Sequence, residues 1–156
     1  MPFLTDRDAE VIRRRFAADL EAPVRLLLFL PTLGGLALAG QDSEIPEYTR
    51  RLVHEVAALS DRLRVEEASL VSQGDLAARY GVAYAPTLVF LRETDGGPPQ
   101  DLGLRYVGLP GGYELVTLLE MVIGVSRGRP DLAPETVARL EGLGRDVHLQ
   151  VFVTPT

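Results

Sequence analysis

The stretch that decides the fold is Tyr80-Gly81-Val82-Ala83-Tyr84-Ala85-Pro86-Thr87-Leu88-Val89-Phe90-Leu91. A short helix ending at Tyr80 closes on Gly81, where a residue without Cβ takes the left-handed cap conformation at no steric cost. Pro86 then opens the apolar, β-rich run Thr87 to Leu91. Proline is tolerated at the first position of a strand but not within one. The residue before it is held extended, and a tight X-Pro turn is where a cis peptide is accessible.

Working outward on the N-terminal side, Val24 to Leu30 is apolar except for Arg25, the pattern of a strand buried on both faces. Before it, Thr5 and Asp8 make a capping-box pair with Leu4 as a staple. Ile12, Phe16 and Leu20 recur every four residues, predicting a helix from Thr5 to Ala22 that Pro23 ends. Between strand and turn, Ile45, Leu52, Val56 and Leu59 share one face of a helix over Ser43 to Leu59. Ser43 is its expected N-cap, and Pro46 is tolerated because it lies in the first turn. Arg64 to Val71 reads as a second strand, and Ser72 with Asp75 as a capping box for the short helix ending at Tyr80.

On the C-terminal side, Asp95-Gly96-Gly97 is a hairpin turn, and Leu102 to Val107 is the returning strand. A helix from Tyr113 to Val125 follows, broken by Gly128-Arg129-Pro130. Pro134 to Leu143 reads as a last helix and Val147 to Val153 as a last strand. The expected order is α, β, α, β, α, β, β, α, α, β. Its βαβαββα core, residues 24 to 125, predicts a mixed sheet with helices on both faces.

Composition narrows the function. The chain has 156 residues, 46% hydrophobic and 24% charged, as in an ordinary globular domain. Every one of its 16 basic residues is Arg, against 22 acidic ones, for a net charge of −6. An acidic chain with scattered Arg has no phosphate-binding face, so no nucleic-acid partner is expected. The absence of cysteine excludes disulfides, thiolate metal sites and thiol catalysis by this chain. His54 and His148 have no ligand-spaced companion, so no metal site is expected.

Arg13-Arg14-Arg15 ahead of an apolar run imitates a secretory leader. The acidic Asp6, Asp8, Glu10, Asp19 and Glu21 argue against one, and no apolar run is long enough to span a membrane. A cytoplasmic location is expected. The loop from Pro31 to Asp42 spaces Gly35 and Gly40 like a phosphate loop, but Gln41 and Asp42 stand where Lys and Ser/Thr would be needed. It reads as an insertion packed on the core, with no cofactor.

The turn at Pro86, the segment Leu104-Arg105-Tyr106-Val107-Gly108-Leu109-Pro110-Gly111-Gly112-Tyr113-Glu114 and the run Asp146 to Thr156 together resemble the thioredoxin fold. The resemblance is closest to the N-terminal unit of the glutaredoxin-like protein disulfide oxidoreductases, whose chains carry two thioredoxin units in tandem. The N-terminal domain of the alkyl hydroperoxide reductase flavoprotein subunit is similar, and there too the first unit has lost its cysteines. The resemblance implies residues 1 to 23 as an added N-terminal helix and 24 to 127 as a thioredoxin-like domain. Residues 128 to 156 become a linker helix and the first strand of a second unit.

It also implies that the CxxC motif would fall on Ser43-Glu44-Ile45-Pro46, with both sulfur positions, Ser43 and Pro46, lost. A helix N-terminus there would stabilise a thiolate, but a serine is not ionised near neutral pH and has no evident base beside it. The implied function is a redox-inactive scaffold that docks a downstream CxxC unit or redox partner in thiol–disulfide exchange. The other reading is a stand-alone module binding extended peptides in a groove at Tyr84, Ala85, Pro86 and Thr87, with the Gly34 to Leu38 loop beside it. Val147 to Val153, deprived of its sheet, is expected either to pair with this unit's own sheet or to join two copies into a homodimer.

Overall fold

A computed structural model of the chain describes residues 2–32 and 44–153. Helix α1 covers Asp6–Asp19, and the expected capping box closes it: Thr5 Oγ1 accepts from the Asp8 N–H at 3.1 Å while Asp8 accepts from the Thr5 N–H. The helix stops three residues short of Ala22. Leu20 is already extended, and tertiary bonds replace the last turn: Glu21 N–H donates to Ser126 Oγ and Ala22 N–H to the Ser126 carbonyl.

Four strands follow, β1 (Val24–Leu30), β2 (Leu63–Ser69), β3 (Thr87–Arg92) and β4 (Gln100–Val107), in the order β2-β1-β3-β4. β1 runs parallel to β2 and antiparallel to β3, and β3 runs antiparallel to β4. The central strands β1 and β3 are the two continuous apolar runs of the sequence, because both of their faces are covered. Leu26, Leu28, Leu88 and Phe90 face a layer made by α1, α2 (Glu44–Ala57) and α4 (Glu114–Arg127). Leu27, Phe29, Val89 and Leu91 face the short helix α3 (Gly74–Arg79). Arg25, the polar interruption in β1, is anchored by Glu93 and Glu66. Among the described residues no helix is long and apolar enough to cross a membrane.

Two local expectations are corrected. β2 ends at Ser69, not Val71, so Ser72 falls in a turn and does not cap α3. Ser69 and Gln73 knit the junction instead: Ser69 Oγ accepts from Ser72 N–H, and Gln73 accepts from Ser69 N–H at 2.7 Å. The second correction concerns Val147 to Val153. These residues follow α5 (Pro134–Glu141), form no ladder with the chain's own sheet and are all exposed. No residue described beyond Ser126 is buried, so nothing draws this segment back onto the domain.

Candidate functional site at the Pro86 turn

Strand register places the site. Thr87, the first residue of β3, pairs with Phe29 near the end of β1 and with Val107 at the end of β4. The three therefore form one row across the sheet, and Gly108 N–H donates to the Pro86 carbonyl at 2.9 Å. α2 leads into β2, whose start pairs with Val24 at the other end of β1. α2 thus runs against β1 and begins at the sheet end that holds Pro86.

The Ala85–Pro86 peptide bond is cis. Pro86 is buried, Ala85 half-buried and Tyr84 69% exposed. Thr87 is buried beneath the turn, and its hydroxyl donates to the Tyr84 carbonyl at 2.7 Å, fixing the bend from below. Among the described residues, neither the N–H nor the C=O of Ala85 has a hydrogen-bond partner. A half-buried backbone unit with both groups unpaired is equipped to take one rung of ladder from an extended chain. Gly81 takes a positive φ of 65°, as the helix end ahead of the turn requires.

The expected residues Tyr84, Ala85 and Pro86 thus form a rim, an open backbone edge and a floor, while Thr87 supports them from inside. Ser43 and the Gly34 to Leu38 loop lie outside the described residues. Pro46 stands in the first turn of α2, half-buried. That turn carries Glu44 and Glu47, so the positive end of the helix dipole faces carboxylates rather than a thiolate. Val107, 59% exposed, borders the turn across the ladder and was missed by the sequence reading. Its signal was Gly108, which follows at φ 103° and swings the chain back over Pro86.

No titrating machinery surrounds the turn. The Tyr106 phenol is raised by burial, with Glu114 adding to it. The nearest approach of a histidine to a carboxylate, His54 to Glu67 at 2.6 Å, lies between α2 and β2. Burial pushes the Glu67 carboxyl up, but hydrogen bonds from His54 and Arg50 outweigh it and hold it below its ordinary range. Among the described residues no cluster of His, Asp or Glu could hold a metal ion.

No family model and no curated protein matches the sequence. Solved structures do match. The NTD_N/C domain of the alkylhydroperoxide reductase AhpF from Enterococcus faecalis superposes with a TM-score of 0.68 at 21% identity, over 85% of this chain and 57% of that one. The larger AhpF subunit structure from the same organism gives 0.73 at 21%, over 90% and 61%. A protein disulfide oxidoreductase from Aeropyrum pernix gives 0.68 at 22%, over 89% and 55%. The chain thus spans little more than half of each chain it matches. Identity at this level speaks for the fold alone: with this strand order, a cis-proline opening β3 and helices on both faces, the chain is a thioredoxin fold without a cysteine.

Proposed function

We propose that the chain is a redox-inactive thioredoxin-fold unit that docks and orients a CxxC-bearing unit for thiol–disulfide exchange. The observation that carries this reading is the pairing of an intact Pro86 turn, its Ala85 backbone open, with a sequence that has no sulfur nucleophile. The turn geometry that receives an extended substrate is kept, and the group that would react with it is absent. In this reading residues 24 to 127 are the docking domain. Residues 128 to 156 are the linker helix and a strand contributed to the neighbouring unit, which supplies the thiols, in the cytoplasm. The longer chains of the similar solved structures support a partner unit.

The test is intact-mass analysis of the protein from its native cells, with sequencing of whatever is joined to or stoichiometric with it. A CxxC-bearing unit is the expected result. A species of 17.0 kDa with no such partner overturns the reading.

The second reading, a cysteine-free peptide-binding module, rests on the same open backbone at Ala85 and the exposed Tyr84 ring. It predicts that extended peptides bind the isolated chain and that Tyr84→Ala weakens them several-fold. Either way, the chain alone is inactive in insulin disulfide reduction, and turnover there would refute both readings.

A further inference from the structure

Two uncovered apolar features meet at the end of the sheet farthest from Pro86. The first is an arm. α5 buries no residue, and Leu140 and Leu143 stand about half exposed. Beyond them Leu149, Val151 and Phe152 are 85%, 86% and 89% exposed. In an extended chain Val147, Leu149, Val151 and Val153 fall on one face. An apolar surface of this kind marks an interaction site.

The second feature is an open cleft of roughly 420 Å3 between Leu102 of β4 and the C-terminal half of α4, with Ile123 and Gly124 in its lining. The charges around it are already matched: Glu120 with Arg15, Arg127 with Asp19, Arg129 with Glu21. What remains open is apolar. β4 is also an edge strand, with Leu102 and Leu104 exposed. The opposite edge, β2, is guarded by Arg64, Glu66 and Glu67, the glutamates paired with Arg25, Arg50 and His54.

We propose that the arm of one chain seats in the α4–β4 cleft of a second copy, with residues 147–153 lying along its β4 edge. The root of the arm decides for a symmetric pair. Pro130 and Asp131 line the same cleft, and Arg129 is held to Glu21 by two contacts of 2.6 and 2.7 Å. Donor and acceptor therefore adjoin on one surface, so a two-fold exchange closes without leaving a free arm or a free cleft. The β3–β4 register slips around Gly103, which keeps the ladder short, so side chains in the cleft contribute most of the contact. The inference concerns the 156-residue chain and does not rest on the Pro86 groove, which lies at the other end of β4.

Light scattering on the 156-residue chain at micromolar concentration tests it. The expected mass is about twice 17.0 kDa. It should fall to the single-chain value in Leu149→Asp/Val151→Asp and in Leu102→Asp, and stay doubled in Tyr84→Ala. Circular dichroism confirms that each variant is folded, and the arm variant alters no packed residue. Because the chain has no cysteine, Leu102→Cys and Val151→Cys chains can be mixed, and a disulfide between the two is expected. A single-chain mass at every concentration overturns the proposal. So does a dimer indifferent to both sets of variants, or a crosslink that forms only within a chain carrying both cysteines.

Discussion

Ser126 illustrates how much one buried side chain can hold. It is fully buried in α4, donates to the Ala22 carbonyl at 2.6 Å and accepts from the Glu21 N–H at 2.8 Å. It thereby replaces the turn that α1 gives up and aims the chain into β1. Removing its hydroxyl leaves a donor and an acceptor unpaired, each costing about 1–3 kcal/mol when buried. Ser126→Ala is therefore expected to lower unfolding stability by about 2 kcal/mol in urea titration. A loss below about 0.5 kcal/mol, the scale of surface substitutions, would show that the contact is dispensable. Thr87 works the same way at the candidate site, tying Tyr84 to the floor of its own turn.

At the scale of elements, β4 is held to the α3 side of the sheet by Asp101 and Arg105. The guanidinium meets both carboxylate oxygens at 2.9 and 2.7 Å while its Nε–H donates to the Tyr80 carbonyl. The Arg105 hydrogen bond holds the Asp101 carboxyl below its ordinary range against the opposing effect of burial, with the Gly103 N–H assisting. A carboxylate held low in the folded state contributes fully above its unfolded-state value, and the contribution fades as pH falls through the folded one. Asp101→Asn is expected to lower the urea midpoint at neutral pH, with the gap closing below the ordinary aspartate value. A gap constant from neutral to strongly acid pH would mean that the ion pair adds nothing to stability.

For the whole molecule, the domain and the arm are separable. The core is closed by α1, α2, α3 and α4 around β1 and β3, and no residue described after Ser126 is buried. A chain truncated after Asp131 retains the Arg129–Glu21 pair. It is expected to keep one cooperative thermal transition and an unchanged near-ultraviolet spectrum. Loss of the cooperative transition would show that the arm is part of the folding unit.

The fold was legible in the sequence because its strongest signals are local. Two continuous apolar runs announced strands covered on both faces, Gly81 and Pro86 bracketed the turn, and Thr5 with Asp8 wrote the start of α1. The lost chemistry was legible too, since a chain without cysteine cannot exchange thiols wherever it folds. Other features depended on partners distant in sequence. Ser126 ends α1 from more than a hundred residues away, Val107 reaches the Pro86 turn only through the register of β3 and β4, and Ser69 displaces Ser72 at the head of α3. Val147 to Val153 shows the limit most directly. Its alternation predicts a strand, but a strand exists only against a neighbour, and the sheet completes its order β2-β1-β3-β4 without it. Local propensity and burial pattern are properties of a segment, whereas pairing is a property of two, and only the tertiary structure assigns the second.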